Sequence, residues 1–91
     1  MFYTYVLLSV KNSTLYVGSS NDLRQRIEDH NKGIGGEYTK KNRPYQLIFY
    51  EAFLAKKDAV KQEEFYKSGY GRDVLHEKIK GSLLLVTKGN L

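Results

Sequence analysis

The sequence predicts a small α+β domain: a three-stranded, mainly antiparallel sheet flanked by helices, in the order β-β-α-β-α-α. Three observations predict it. Residues 2–10 and 45–54 are rich in aromatic and β-branched side chains, as strands are. A second short run, residues 14–18, follows the first across the turn cluster Lys11-Asn12-Ser13, so the two close into an antiparallel hairpin. The other segments carry capping residues and helical periodicity. With 91 residues the chain makes one domain over 1–91, with its core over about 2–81 and an extension over 82–91. Packing helices on a single sheet is the simplest way to bury so short a chain.

The elements follow in order. Gly18 ends the second strand. Ser19-Ser20-Asn21-Asp22 supplies cap-forming side chains, so a helix is expected over 22–31. Gly33 is available for its left-handed cap. Residues 33–44 hold three glycines, Pro44 and several cations, and are expected to form a loop. Leu47-Ile48-Phe49-Tyr50 centres the third strand. A second helix is expected over 56–67, stopped by Ser68-Gly69. A third starts near Gly71-Arg72-Asp73 and carries Val74, Leu75 and Ile79. Leu83-Leu84-Leu85-Val86 is too short a run for periodicity to decide between a helical continuation and an extra strand.

Composition narrows the function classes. A net charge of +5 and a pI near 9.4 suit a polyanion such as nucleic acid. There is no cysteine, which excludes disulfides and thiolate metal sites. MFYTYVLLSV is too short and lacks the basic leader of a signal peptide. No apolar run approaches the roughly 18 residues that cross a bilayer. A cytoplasmic protein with no membrane partner is expected.

Two helices place polar residues where packing is expected. At about 100° per residue, with Leu23 at zero, Ile27 falls near +40°, His30 near −20° and Arg26 near −60°. Arg26 and His30 therefore share the sheet-facing stripe, where an arginine and a histidine are unusual. The ordinary account is that Arg26 snorkels and His30 is a hydrogen-bonded edge residue. On the second helix, with Ala59 at zero, Glu63 falls near +40° and Tyr66 near −20°. A carboxylate on a packed face is costly unless it is paired or binds a cation. A Glu63–Lys67 pair at i, i+4 is the ordinary account there. Lys40-Lys41-Asn42-Arg43, between Tyr38 and Tyr45, alternates cations with aromatic rings, the composition of a surface that tracks phosphates and stacks bases.

With these residues in view, the chain resembles the GIY-YIG nuclease superfamily over nearly all of residues 2–81, and most closely its small, single-domain bacterial members. Tyr3-Thr4-Tyr5 stands at the first motif, with Tyr3 in the glycine position, and Tyr16-Val17-Gly18 at the second. Arg26 stands at the motif arginine and His30 where members carry histidine or tyrosine. Asn31-Lys32-Gly33 resembles the following stretch, and Glu63 the metal-binding glutamate. Lys67-Ser68-Gly69-Tyr70-Gly71-Arg72 is similar to the small-member pattern. Ser19 stands where some excision-repair relatives have lysine.

The resemblance implies hydrolysis of nucleic-acid phosphodiesters, DNA before RNA, with one Mg²⁺ or Mn²⁺ held by Glu63, in repair or processing of structured DNA. It implies that Arg26 clamps the phosphate, that Tyr16 is the general base and that Tyr5 orients the water or phosphate. A free tyrosine is a poor base near neutrality and needs nearby positive charge. His30 is the alternative base, or positions Tyr16. Lys32, Lys40, Lys41, Arg43, Lys67 and Arg72 are the expected nucleic-acid contacts. A domain this small lacks a separate recognition unit, so a protein partner that supplies specificity is part of the expectation. Two rival readings keep the fold: a non-catalytic nucleic-acid binder, and a protein-interaction module built on the aromatic surface.

Overall fold

A computed structural model describes residues 1–87. Its elements are β1 (Phe2–Ser9), β2 (Leu15–Ser20), α1 (Leu23–Lys32), α2 (Glu37–Asn42), β3 (Tyr45–Phe53), α3 (Lys56–Lys67) and α4 (Gly69–Thr87). The sheet has the order β2-β1-β3, with both pairings antiparallel. The predicted class holds.

β1 is the central strand. Its residues from Thr4 to Ser9 are all buried, because the sheet is covered on both faces. Alternation sends Val6 into a core with Val17, Tyr66, Leu75 and Ile79 under α3 and α4. It sends Tyr5 and Leu7 to the other face, where Tyr45, Tyr16, Leu23, Ile27 and Leu47 surround them under α1. The register slips between Val6 and Leu7, which pair with Phe49 and Leu47. The bulge this makes at Ile48 lets Ile48 and Phe49 both pack on the α3–α4 core, while Leu47 packs on the other.

Local signals fix α1. Asp22 is its N-cap, its carboxylate accepting from the Gln25 backbone N–H at 3.1 Å. Gly33 closes it with φ 84°, in the left-handed region. Ser68 divides α3 from α4. Its hydroxyl donates to the Phe65 carbonyl at 2.6 Å and accepts from the Gly71 N–H at 3.1 Å.

Two expectations are corrected. Residues 33–44 are not all loop, since 37–42 form the short helix α2. Tertiary bonds hold it: the Ser9 hydroxyl donates to the Asn42 carbonyl at 2.5 Å, and the Thr39 side chain is buried against α1. α4 begins at Gly69, earlier than expected, and continues through Leu83–Val86, so the alternative of an extra strand falls. The expected extension is helical as far as Thr87; residues 88–91 lie outside the described residues. Among the described residues, no helix is long and apolar enough to cross a membrane.

Candidate active site

The site wraps around the edge strand β2. Tyr16 pairs with Leu7 and Gly18 with Tyr5, so they face α1; Val17 and Ser19 face α3. Tyr5, Tyr16 and His30 thus come from one layer and Glu63 from the other. Gly18 keeps this strand thin, because a Cβ there would collide with the Tyr5 hydroxyl and crowd the Tyr16 ring.

Tyr5 is the hub. Its side chain is buried, and its hydroxyl lies 2.8 Å from His30 Nε2. His30 has no exposed surface, and its Nδ1 lies 2.9 Å from Thr39 Oγ1. The Thr39 hydroxyl donates to the Gly36 carbonyl at 3.2 Å, so it must accept from His30 Nδ1–H. That leaves Nε2 as acceptor and Tyr5 as donor. Gly35 is needed beside them, since a Cβ would strike the imidazole.

Charge follows the same direction. Burial pushes the Tyr5 phenol up to about 12, with the neighbouring Arg26 guanidinium offsetting part of the effect and the charges of Tyr16 and Glu63 adding to it. Burial, then Arg26, holds His30 below its ordinary value, so the imidazole stays neutral. An unfolded chain takes up this proton near 6.5, while the native site resists it. Stability is therefore full above pH 6.5 and falls as pH drops below it, with a limiting slope of about 1.4 kcal/mol per pH unit from this group. Urea unfolding between pH 5 and 7.5 should show this slope, and His30→Gln should lack it. Equal slopes would contradict the neutral, buried assignment.

Tyr16 is half-buried in a ring of aromatics. His30 lies 4.9 Å away edge-on, Tyr38 6.2 Å away stacked, and Tyr5 and Tyr45 at 6.3 and 6.5 Å. The Lys67 Nζ stands 6.0 Å from the Tyr16 ring centroid. Glu63 sits at the margin of the α3 face rather than deep in it, with its side chain 21% exposed. Ser19 donates to Oε1 at 2.6 Å and Lys67 to Oε2 at 2.7 Å. The ordinary i, i+4 pair is therefore present, together with a partner from β2.

The candidate cations divide into two groups. Lys67 and Arg72 line a groove of about 450 Å³ with Tyr16, Tyr38 and His76. Lys32, Lys40, Lys41 and Arg43 do not line it; they stand exposed at the end of α1 and on and after α2, the helix that carries Tyr38. Sequence reasoning missed the roles of Thr39, Gly35 and His76. It noted Ser19 only as a missing lysine, although Ser19 touches Glu63. Single hydroxyls have no periodic signal; for Thr39, only its spacing of nine residues from His30 across a glycine-rich turn was available.

Among the described residues, no three His, Cys, Asp or Glu side chains gather to hold a metal. Glu63 acts alone. A lone carboxylate suits a Mg²⁺ that keeps most of its waters. The Lys67 ammonium already holds a positive charge on that carboxylate, a stand-in for such an ion. The donor set fits one largely hydrated divalent cation.

The phenols, the arginine beside Tyr5 and the carboxylate gather around β2, in a chain whose family match is to a nuclease fold. The chain belongs to the GIY-YIG family: the GIY-YIG catalytic domain model matches residues 1–78. It is 40% identical over 88 residues to a UPF0213 protein of Pediococcus acidilactici, covering 94% of this chain and 88% of that one. It is 40% identical over 63 residues to the UPF0213 protein YazA of Bacillus subtilis, covering 69% of this chain and 64% of YazA. The solution NMR structure of the UPF0213 protein BH0048 from Bacillus halodurans superposes with a TM-score of 0.50 at 31% identity, covering 85% of this chain and 84% of that one.

Proposed function

We propose that this protein is a divalent-metal-dependent endonuclease that hydrolyses phosphodiester bonds in nucleic acid, DNA before RNA. The supporting observation is convergence around β2: the Lys67 ammonium lies 2.7 Å from Glu63 and 6.0 Å from the Tyr16 ring, and the Tyr16 ring lies 6.3 Å from that of Tyr5, beside Arg26.

Glu63 would hold one Mg²⁺ or Mn²⁺, which when bound supplies Lewis-acid stabilisation of the scissile phosphate and leaving oxygen. Arg26 binds the phosphate, where a planar guanidinium matches two oxygens. Tyr5 keeps its proton, because its hydroxyl donates to His30, and so orients rather than abstracts. His30 is a positioning residue, with both nitrogens engaged and no surface. Tyr16, half-buried at the groove, takes the proton from the attacking water on this reading. Lys67 and Arg72 bind backbone phosphates in the groove. Lys32, Lys40, Lys41 and Arg43 extend that basic surface beyond it. Repair or processing of structured DNA, with a protein partner that supplies specificity, suits a domain whose basic groove is this small.

The test is incubation with branched, nicked and single-stranded DNA and RNA, in Mg²⁺, Mn²⁺ or EDTA. Cleavage with either metal and none in EDTA is expected. Salt-sensitive binding without cleavage would favour the non-catalytic reading.

A further inference from the structure

We infer that Lys67 is a tethered cation that competes with the divalent ion for Glu63 and yields its place when a phosphodiester enters the groove. The inference rests on the proposed cation site at Glu63 and deepens it.

The carboxylate has two oxygens, and donors occupy both: the Ser19 hydroxyl on Oε1 and the Lys67 ammonium on Oε2. Ser19 is neutral and is held in the edge strand opposite Thr4, so it orients the carboxylate without neutralising it. Lys67 neutralises it. An ion seeking Oε2 must displace the ammonium or share the carboxylate with a like charge a few ångströms away, and both raise the metal concentration required.

Lys67 is built to move. It occupies the last turn of α3, its side chain is 52% exposed, and its stem carries several rotatable bonds. Its ammonium already stands beside the Tyr16 ring, and the residue lines the groove with Arg72 and Tyr38. A small rotation carries the charge from Glu63 into that groove. A phosphate there attracts it and frees Oε2, so cation and polyanion favour each other's binding, as linkage requires.

The test is Mn²⁺ binding to the free protein, followed by electron paramagnetic resonance, in wild type, Lys67→Met, Lys61→Met and Glu63→Gln. Methionine keeps the length of the side chain; Lys61 is an exposed lysine of the same helix and controls for bulk charge. Lys67→Met should bind Mn²⁺ about fivefold more tightly, the scale of a half-exposed pair plus relief of repulsion. Lys61→Met should change affinity less than about twofold. Unchanged or weaker binding in Lys67→Met, or an equal gain in Lys61→Met, would overturn the competition. If Glu63→Gln abolishes binding while Lys67→Met equals wild type, the cation site stands and only the role of Lys67 falls. Undiminished binding in Glu63→Gln would remove both. Addition of Mg²⁺ should also move the Lys67 Cε resonance towards those of the solvated lysines; an unmoved signal counts against displacement.

Discussion

Glu63→Gln should reduce metal-dependent cleavage by about three orders of magnitude, the scale of removing one charge-stabilising element from a preorganised site. The substitution is close to isosteric, and the amide can still accept from Ser19. What it loses is the negative charge. The helix should tolerate this well, because a partly exposed i, i+4 pair contributes only about 0.3–0.5 kcal/mol. A thermal melt within a few degrees of wild type, with cleavage gone, separates chemistry from folding. Equal cleavage by both proteins would end the assignment of Glu63 as the cation ligand.

His30→Ala should be the most destabilising change in the site. It empties the space of a fully buried ring and strands the Tyr5 hydroxyl with no imidazole to accept its proton. Cavity and orphaned donor together should cost about 3 kcal/mol. For a domain of this size that lowers the melting temperature by roughly 15 °C. Tyr5→Phe, which removes only the hydroxyl, should cost about 1 kcal/mol. A loss below about 1 kcal/mol for His30→Ala would mean that the Tyr5–His30–Thr39 chain does not hold this layer together.

The sequence was most legible where signals were local. Asp22 and Gly33 bracket α1 with side-chain and backbone chemistry that acts within a turn, and the hairpin of β1 and β2 follows from two adjacent apolar runs. The helical angle of Glu63 located it near the sheet, though the structure puts it at the margin with Lys67 attached. α2 was illegible because its six residues lack the length for periodicity, and its stability comes from Ser9 and His30, distant in sequence. Thr39 was lost with it. His30 was visible as an oddity on an apolar stripe, but its burial depends on Thr39 and Tyr5 satisfying both nitrogens, and no pattern within α1 encodes them. Leu83–Val86 could go either way because only the packing of α4 resolves it.

The division of the site between two layers has a bearing on the protein's synthesis. Tyr5, Tyr16, Arg26 and His30 all precede Glu63 by more than 30 residues. A nascent chain therefore carries these four side chains before Glu63 is made. The two layers of the site can meet around β2 only once synthesis has passed α3.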